Sequence, residues 1–510
     1  MPDFLKSLPT PLPNWIDGQF VESQAEGAIA VTNPATGGTI SSVRLSDASA
    51  VELAVRIAQE AFQQWSKRTV KDRAQCLMRF RQLVVQHQDT LSDLIVNEHG
   101  KTKQEALAEI AKGNETVEYA LGMPQILLGR TQEVSRGVNC SDSRRPLGVV
   151  VSIVPFNFPF MVPMWTLPIA IATGNTFILK PSEKVPLTML YTMQLLQQAG
   201  VPKGVVGLVN GTANVATSLI DHPDVSVITF VGTSAIADIV GKRARQLNKR
   251  VLALGGAKNH LVAYPDCNVS MAASDIVASF TGCCGQRCMA ASVLLVVQPE
   301  TTDLAFQQTI IGAVVEKASK LVPGQSGQSV MGPVIDSQSL QRVLRFINEA
   351  EAGGATILLD GRKWAEPGFL HQTYGLPTGG WWVGPTVILH TNPADRALHE
   401  EIFGPVISIL VCGSKEEAIQ IENSNPYGNA ASIYTSTGAV AEWFTKRFSA
   451  GMLGVNIGVP VPRDPFSFAG INQSRFGDLD ITCDGAVELF TTRIKVTTKW
   501  NPPVEKSWLN

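Results

Sequence analysis

From about residue 148 onward, short apolar runs alternate with segments of helical periodicity. The run GVVVSIVPF is apolar almost without interruption, which is typical of a strand buried on both faces of a sheet. The stretch VPLTMLYTMQLLQQAG follows as a helix, with Pro186 in its first turn and Gly200 at its end. Further strand candidates are TFILK, VVGLVNG, VSVITFVG and RVLALGG, each separated by helical sequence. This alternation predicts a doubly wound parallel α/β sheet.

A second series of the same kind begins near NHLVAY and continues through SVLLVV, a helix around LQRVLRFINEAEAGG, and ISILVC. It predicts a second α/β lobe, which suits a chain of 510 residues that is too long for one ordinary core. The stretch VELFTTRIKVTTKW predicts a β-rich tail. Such a tail pairs either with the sheet edge of another subunit or with its own chain.

Composition excludes several classes of function. The net charge of −2 gives no electrostatic reason to bind nucleic acid or an anionic membrane. We find no apolar stretch of about 18 residues, and the start MPDFLKSLPTPLPNW lacks the basic and apolar regions of a secretion signal. Eight irregularly placed cysteines do not form the pattern of a disulfide framework. We therefore expect a cytoplasmic protein whose thiols stay reduced.

No G-x-G-x-x-G fingerprint follows any predicted strand, so a dinucleotide would need other contacts. In VSVITFVGTSAIADIVG a strand leads through Gly232 into a helix that opens near Thr233, and a helix N-terminus stabilises phosphate. FILKPSEK places Lys180 and Glu183 just after a strand, where open α/β sheets bind ligands. A carboxylate at Glu183 would repel a ribose 2′-phosphate, which favours NAD over NADP. Each stretch alone is equally compatible with an ordinary strand–turn–helix joint.

The stretch FTGCCGQRCMAAS contains three cysteines within six positions. Its last cysteine, Cys288, directly follows Arg287, and a neighbouring cation lowers the pKa of a thiol. In PFNFPF, Asn157 is a neutral donor suited to an oxyanion, although an asparagine in such a turn also satisfies its own backbone. The cysteine spacing lacks the paired C-x-x-C form of zinc sites, so no metal is expected.

Seven motifs occur together in one order: PFNFPF, LKPSE, FVGTS, LGGAKNH, GQRCMA, EEIFGP and NPYGNAASI. They cover nearly the whole chain and resemble the aldehyde dehydrogenase superfamily. GAKNH, the arginine of GQRCMA and GVPVPRDPFSFAG are most similar to the CoA-acylating branch that oxidises malonate and methylmalonate semialdehyde.

The resemblance implies a role for each matching residue. Cys288 corresponds to the thiol that attacks the aldehyde, which then passes a hydride to the nicotinamide and remains as a thioester. Asn157 corresponds to the side-chain donor of the oxyanion hole. The cofactor-binding positions are Val154, Phe156, Lys180, Glu183, Lys184, Gly232, Thr233, Gly255, Glu401 and Phe403. In the semialdehyde branch, Arg287 would bind the substrate carboxylate, with Lys112 as the second cation.

Two positions depart from the pattern. Ala253 stands where hydrolytic members carry a glutamate that activates water, so the acyl group is expected to pass to coenzyme A. Loss of carbon dioxide would then give acetyl-CoA or propionyl-CoA. The alternative is that another carboxylate or a water chain substitutes and a free acid is released. In AKGNETVE, Lys112 replaces the arginine of the branch and lacks its bidentate fork, so a related anionic substrate such as a sulfonated aldehyde is conceivable.

The resemblance also implies a domain organisation. Residues 1–123 and 148–255 would form the NAD-binding domain, 256–470 the catalytic domain, and 124–147 with 486–500 an oligomerisation element. A homotetramer is expected. Two alternatives from other classes are a cysteine hydrolase, with Cys288 activated by a histidine such as His260, and a binding protein that keeps the fold without turnover.

Overall fold

The computed structural model describes residues 8–25, 27–298, 305–327 and 330–500. The strands are β1 (Asn14–Ile16), β2 (Gln19–Val21), β3 (Ala28–Thr32), β4 (Thr39–Arg44), β5 (Arg130–Ser135), β6 (Val138–Pro146), β7 (Val149–Ile153), β8 (Thr176–Lys180), β9 (Val206–Leu208), β10 (Val225–Val231), β11 (Arg250–Leu254), β12 (Asn259–Ala263), β13 (Ala291–Val297), β14 (Thr356–Leu359), β15 (Thr386–His390), β16 (Val406–Cys412), β17 (Ala430–Tyr434), β18 (Met452–Val455), β19 (Arg475–Gly477) and β20 (Thr491–Lys499).

The helices are α1 (Ala48–Trp65), α2 (Val70–Gln86), α3 (Gln88–His99), α4 (Lys103–Leu121), α5 (Met123–Ile126), α6 (Met161–Ala172), α7 (Leu187–Gln198), α8 (Ala213–Asp221), α9 (Ser234–Gln246), α10 (Val269–Thr281), α11 (Ala305–Ser319), α12 (Ser337–Ala352), α13 (Phe369–Tyr374), α14 (Arg396–His399), α15 (Lys415–Ser424), α16 (Gly438–Thr445) and α17 (Cys483–Phe490).

The first sheet has eight described strands in the order β19-β11-β10-β7-β8-β9-β1-β2, and its five central strands are parallel. The chain runs from β7 outward to β9 on one side and then returns to β10 on the other. The point between β7 and β10 is therefore a topological switch point, and the carboxyl ends of strands at such a point leave a crevice for a ligand. All five residues of β7 are buried, as its apolar run predicted.

The second sheet has seven described strands in the order β14-β15-β16-β13-β12-β17-β18, parallel except at β14. The prediction of two doubly wound α/β lobes is confirmed. The two sheets meet the helical layer around α6, whose sequence MVPMWTLPIAIA is apolar on every side. A helix that is hydrophobic all round must be buried, and α6 packs against α4 and α17.

A third sheet has the order β20-β6-β5 and lies within the residues predicted as an oligomerisation element. The structure corrects the expected β-rich tail in one respect. Residues up to Phe490 belong to helix α17, and the strand begins only at Thr491. The apolar residues Val487, Leu489 and Phe490 fit either state, and their burial as α17 packs against α6 decides for the helix. No helix in the described ranges is long and apolar enough to cross a membrane.

Candidate active site

A cavity of about 470 Å³ opens at the switch point of the first sheet. It receives residues from the carboxyl ends of β7, β10 and β11, from the loop before β13, and from the segment after α14. Nine predicted site residues line it: Phe156, Asn157, Lys184, Gly232, Thr233, Gly255, Cys288, Glu401 and Phe403. The structure thus brings the thiol, the amide and most of the predicted cofactor contacts into one space.

Three predicted cofactor residues lie behind the wall of this cavity. Val154 is buried and its N–H donates to the Lys180 carbonyl at 3.2 Å. Lys180 donates through Nζ to the Pro181 carbonyl at 2.7 Å, and its Nζ lies 3.6 Å from Glu183. Burial lowers the pKa of Lys180, while Glu183 opposes the shift. The prediction that Val154 lines the groove is not met, because its side chain packs into the core around α6.

The two predicted substrate cations also lie outside the main cavity. The loop before β13 carries Cys288 and is called the thiol loop below. Arg287 lines a smaller cavity behind it, with its guanidinium 3.7 Å from Glu105 of α4. Its Nε is buried without a hydrogen-bond partner among the described residues. Lys112 is hydrogen-bonded to Glu115, one turn further along the same helix. Both cations are therefore held by carboxylates of α4.

The thiol loop is held from outside by side-chain amides. Asn259, the first residue of β12, donates to the Cys288 carbonyl at 2.8 Å and to the Ala290 carbonyl at 2.9 Å. Asn429, just before β17, donates to the same Cys288 carbonyl at 2.9 Å. Two donors on one carbonyl fix the backbone at the thiol, so the position of Cys288 depends on three neighbouring strands of the second sheet.

Asn157 reaches the loop from the opposite side. Its Nδ2 donates to the Gln286 carbonyl at 3.0 Å. An amide nitrogen carries two hydrogens, so one remains for an oxygen atom in the cavity. The residue is 4% exposed, which keeps water from competing for that donor. The position of Asn157 fits its predicted role as an oxyanion donor. The same side chain also holds the thiol loop through the Gln286 carbonyl.

The thiol itself is more basic than the sequence predicted. Burial raises the pKa of Cys288 to about 12, and the carboxylate of Glu401 acts in the same direction. Hydrogen bonds from the N–H groups of Cys288 and Met289 lower it, and Arg287 has the weakest effect. Arg287 lowers the pKa of the thiol, as expected, but burial outweighs this effect and the net shift is upward. The guanidinium faces Glu105 and Cys283, and desolvation outweighs its charge.

Glu401 is half-buried and lines the same cavity as the thiol. Its Oε1 accepts from the Ala257 N–H at 3.1 Å, and burial raises its pKa to about 7. Arg342 of α12 holds this segment by donating to the Glu401 carbonyl at 2.5 Å. The next aromatic residue, Phe403, has φ of 60° and meets Phe156 edge to face, with ring centroids 5.9 Å apart. At Phe403 the backbone therefore has a left-handed conformation that residues other than glycine rarely adopt.

The first-sheet side of the cavity fits the phosphates of a dinucleotide. Helix α9 begins after Thr233, which lines the cavity and makes no side-chain cap, so the first N–H groups of the helix are free for an anion. Gly255 has no room for a side chain, because a Cβ there would lie 2.5 Å from Ser234 Oγ. At Gly232 a Cβ would lie 2.5 Å from the Phe230 ring. Packing within the protein therefore leaves no room for a side chain at either glycine.

Residue 253, where the resemblance implies a glutamate in hydrolytic enzymes, brings no carboxylate to the cavity. Ala253 is fully buried in β11 and does not line the cavity. The carboxylates among the described lining residues are Asp336 and Glu401. Asp336 pairs with Lys184 at 2.5 Å across the cavity, which leaves Glu401 as the carboxylate that acts on the thiol.

Sequence reasoning missed several residues of the site: Lys258, Asn259, Asp336, Arg342 and Asn429. Three of them lie within LGGAKNH and NPYGNAASI, motifs that carried the resemblance without an assigned role. Asp336 and Arg342 belong to a helix that was predicted only for its periodicity. In the described part of the chain no cluster of histidine, cysteine or carboxylate side chains could hold a metal ion, and all eight cysteines are free.

The structure therefore defines an α/β protein with two doubly wound sheets and one cavity that contains a thiol, a buried amide and a helix N-terminus. The sequence profile of the aldehyde dehydrogenase family matches residues 20–495. Malonate-semialdehyde dehydrogenase 3 of Bacillus cereus is 40% identical over 490 residues, which cover 96% of this chain and 98% of that protein. The chain belongs to the aldehyde dehydrogenase family and is an oxidoreductase.

Solved structures agree with this fold. The crystal structure of methylmalonate-semialdehyde dehydrogenase from Oceanimonas doudoroffii superimposes with a TM-score of 0.92 at 37% identity, covering 97% of this chain and 99% of that one. A protein of Sinorhizobium meliloti 1021, named for the same activity and complexed with NAD, gives a TM-score of 0.92 at 33% identity, covering 96% of this chain and 98% of that one.

Proposed function

We propose that this protein oxidises malonate or methylmalonate semialdehyde with NAD, through a thioester on Cys288, and transfers the acyl group to coenzyme A with loss of carbon dioxide. The observation that carries the proposal is the shared cavity, in which Cys288 and Asn157 lie with Thr233 and Glu401. The names of the relatives support a semialdehyde as the substrate, and the NAD complex of one of them supports the cofactor.

The residues present fit NAD. The N-terminus of α9 at Thr233 and the bare backbone of Gly232 would hold the phosphates, and the Glu401 carboxylate would accept from the hydroxyls of the nicotinamide ribose. Lys180 and Glu183 would contact the second ribose at the end of β8. When bound, the nicotinamide supplies the acceptor for the hydride.

The chain's own groups perform the acylation. The Cys288 thiol gives its proton to water, the sulfur attacks the aldehyde carbon, and the carbonyl oxygen becomes an oxyanion. The free hydrogen of Asn157 Nδ2 and the Cys288 N–H stabilise that oxygen, an interaction that typically contributes about 3 kcal/mol per donor. After the hydride leaves, the acyl group remains on Cys288 as a thioester.

The residues around the thioester support transfer of the acyl group to coenzyme A. Residue 253 offers no base for water, whereas a thiol co-substrate with a pKa of about 8.5 is a few per cent thiolate at neutral pH and needs less activation. The acyl group thus has a route to acyl-CoA that requires no carboxylate at that position.

Arg287 is the better supported of the two substrate cations. Its Nε lacks a partner and its carboxylate neighbour, Glu105, is 3.7 Å away, so the guanidinium is incompletely satisfied. A substrate carboxylate could take the vacant position by a rearrangement of Arg287 toward the thiol. Lys112 already forms an ion pair with Glu115 and would have to break it in order to bind a substrate carboxylate.

One observation favours a second candidate, a semialdehyde dehydrogenase that releases the free acid. Glu401 lines the same cavity as Cys288 and has a pKa of about 7, which is the range of an effective general base. In that case water attacks the thioester with Glu401 as the base.

A panel of aldehydes assayed with NAD separates the two candidates. We expect steady NADH formation from malonate or methylmalonate semialdehyde only when coenzyme A is present, with acetyl-CoA or propionyl-CoA identified by mass spectrometry. Equal rates with and without coenzyme A, with free acid as product, would select the second candidate. Cys288→Ala is the control and should lack activity on every aldehyde.

We further propose that the first sheet with its helices is the NAD-binding domain, the second the catalytic domain, and the three-stranded sheet the oligomerisation element of a cytoplasmic homotetramer. The supporting feature is the edge strand β20, which has a paired neighbour only in β6 among the described strands and exposes Val496. An exposed edge of this kind is a template for pairing with another subunit. Light scattering after size-exclusion chromatography tests the tetramer, and a monomer of 54.8 kDa would contradict it.

A further inference from the structure

The loop that carries Asn157 joins β7 to α6, and the start of α6 has no cap of its own. The residue at the cap position is Phe160, whose side chain makes no hydrogen bond there. The first N–H groups of a buried helix nevertheless need acceptors. Glu109 of α4 supplies one: its Oε1 accepts from the N–H of Phe160 at 2.8 Å and from that of Met161 at 3.1 Å. A carboxylate from another helix therefore fixes the chain just after Asn157.

Lys101, in the turn between α3 and α4, completes this support. Its Nζ lies 2.5 Å from Glu109 Oε2, and both side chains are fully buried. The same Nζ lies 3.7 Å from the centre of the Phe158 ring, which is a cation–π contact. The ring of Phe156 stacks on His99, the last residue of α3, with ring centroids 6.1 Å apart. The rings on both sides of the predicted oxyanion donor in the chain are thus contacted by this one region.

The ion pair between Lys101 and Glu109 is directed toward the loop. Among the described residues, the two side chains hydrogen-bond to each other and to the start of α6. Taking two opposite charges out of water costs about as much free energy as their attraction returns, so stability alone does not explain such a pair. Apolar side chains of similar volume would fill the space but could not accept from the two N–H groups. The carboxylate therefore adds a defined position for the start of α6.

We propose that Lys101 and Glu109 are positioning residues for the oxyanion donor. Through the start of α6 and the Phe158 ring, they hold the loop so that the free hydrogen of Asn157 Nδ2 faces the oxygen that becomes negative when the thiol attacks. Neither side chain lines the cavity, so their effect on the reaction passes through the loop. The inference rests on the role of Asn157 in the proposed function, but not on the aldehyde, NAD or coenzyme A.

Two reagents that react with the same thiol differ in whether an oxyanion forms. p-Nitrophenyl acetate acylates Cys288 through a tetrahedral intermediate with a negative oxygen, and p-nitrophenolate then leaves, whereas iodoacetamide alkylates the sulfur by direct displacement of iodide. The ratio of the acylation rate to the alkylation rate therefore reports the oxyanion donor. Displacement of the thiol or loss of the fold lowers both rates. Acylation is followed by the initial release of p-nitrophenolate and alkylation by intact mass, and Cys288→Ala corrects for other nucleophiles.

Two double variants remove both charges and differ in one property. Lys101→Met with Glu109→Gln keeps a carbonyl oxygen that can accept from the start of α6, whereas Lys101→Met with Glu109→Leu has none. We expect the glutamine variant to keep the ratio within about threefold of the unmodified protein and the leucine variant to lower it at least about tenfold. Asn157→Ala alone should lower acylation by about 10²- to 10³-fold. Added to either double variant, it should remove the difference between them, because all of these changes act through one donor.

Glu98 of α3 provides the matched control, because it caps a different helix in the same way. Its carboxylate accepts from the N–H of Leu187 at 2.7 Å and from that of Thr188 at 2.9 Å, at the start of α7. Asn157 and the thiol loop lie elsewhere. Glu98→Leu should therefore lower the Tm without changing the ratio of acylation to alkylation.

An unchanged ratio in the leucine variant would overturn the positioning role, and so would acylation and alkylation rates that fall by the same factor. If that variant does not fold, Glu109→Asp takes its place, because a carboxylate that is one methylene shorter cannot reach Lys101 and both N–H groups at once. It should lower the ratio, and an unchanged ratio would again overturn the role.

The test also separates this inference from the proposed function. Normal acylation in Asn157→Ala would overturn the oxyanion role itself and the positioning with it, whereas a slow Asn157→Ala beside a normal leucine variant overturns the positioning alone. Failure of the semialdehyde or of coenzyme A in the activity panel would leave all of these ratios unchanged.

Discussion

The two sides of the cavity are built in different ways. The first sheet contributes the carboxyl ends of its parallel strands, and it shapes the cavity with backbone N–H groups and with glycines such as Gly232 and Gly255. The second sheet contributes the opposite, amino-terminal ends of its strands. There the thiol loop leads into β13, and the side chains of Asn259 and Asn429 hold it from β12 and β17.

We expect the two sides to have different functions, with cofactor binding on the first-sheet side and positioning of the nucleophile on the second-sheet side. A site made of strand ends and a helix N-terminus binds an anionic cofactor with little help from particular side chains. A nucleophile on a loop must instead be held in place by specific hydrogen bonds, because a small displacement lowers the rate strongly. We therefore expect changes on the second-sheet side and at the oxyanion donor to lower kcat, and changes on the cofactor side to alter mainly cofactor affinity.

The largest effect is expected at Asn157. Asn157→Ala removes a donor to the oxyanion and should lower kcat by about 10²- to 10³-fold, with cofactor binding retained. Steady-state kinetics combined with calorimetric titration of NAD measures both quantities. A variant with nearly normal kcat would show that the amide serves only the Gln286 carbonyl to which it now donates.

A smaller effect is expected at Asn429, on the second-sheet side. Asn429→Ala removes one of two donors to the Cys288 carbonyl and should lower kcat by about tenfold and the free energy of unfolding by about 1–2 kcal/mol. Urea denaturation gives the second value. Asn392→Ala, in an exposed turn with a local hydrogen bond, is the matched control. If both variants lose the same activity, the thiol loop does not depend on this contact.

The affinity for NAD should also depend on pH through Glu401, although its segment leads into β16 of the second sheet. Its pKa is raised to about 7 by burial, so the carboxylate form, which we propose accepts from the ribose, predominates above pH 7 and is lost below it. The dissociation constant should therefore increase by about five- to tenfold from pH 8 to pH 6. Glu401→Gln should bind more weakly and show no such dependence. A similar slope in this variant would assign the titration to another group.

The smallest effect is expected where the sides meet, at the ion pair between Lys184 and Asp336. Asp336→Asn frees Lys184, which lies 5.1 Å from the centre of the Phe156 ring at the cavity wall, for an anionic ligand. Asparagine keeps the cap that residue 336 provides for α12. We expect a two- to threefold lower dissociation constant for NAD, about the size of an exposed ion pair. Asp47→Asn, which caps α1, should not change it.

The same comparison explains how much the sequence could predict. Strand ends and helix starts have local signals, so β7, β10 and α9, and the positions of Gly232 and Thr233 at the joint between β10 and α9, were predictable from short stretches. The anchors of the thiol loop are hydrogen bonds between residues far apart in the chain, and no local pattern shows them. The raised thiol pKa is a property of burial, which adjacency of Arg287 and Cys288 in the sequence does not reveal.

The most direct test of the chemistry is the mass of the enzyme after mixing with NAD and methylmalonate semialdehyde in the absence of coenzyme A. We expect one acyl group on the peptide that contains Cys288, one equivalent of NADH, and loss of the adduct with formation of propionyl-CoA when coenzyme A is added. NADH formation without any adduct on Cys288, or an adduct that Cys288→Ala also forms, would contradict the assignment of Cys288 as the nucleophile.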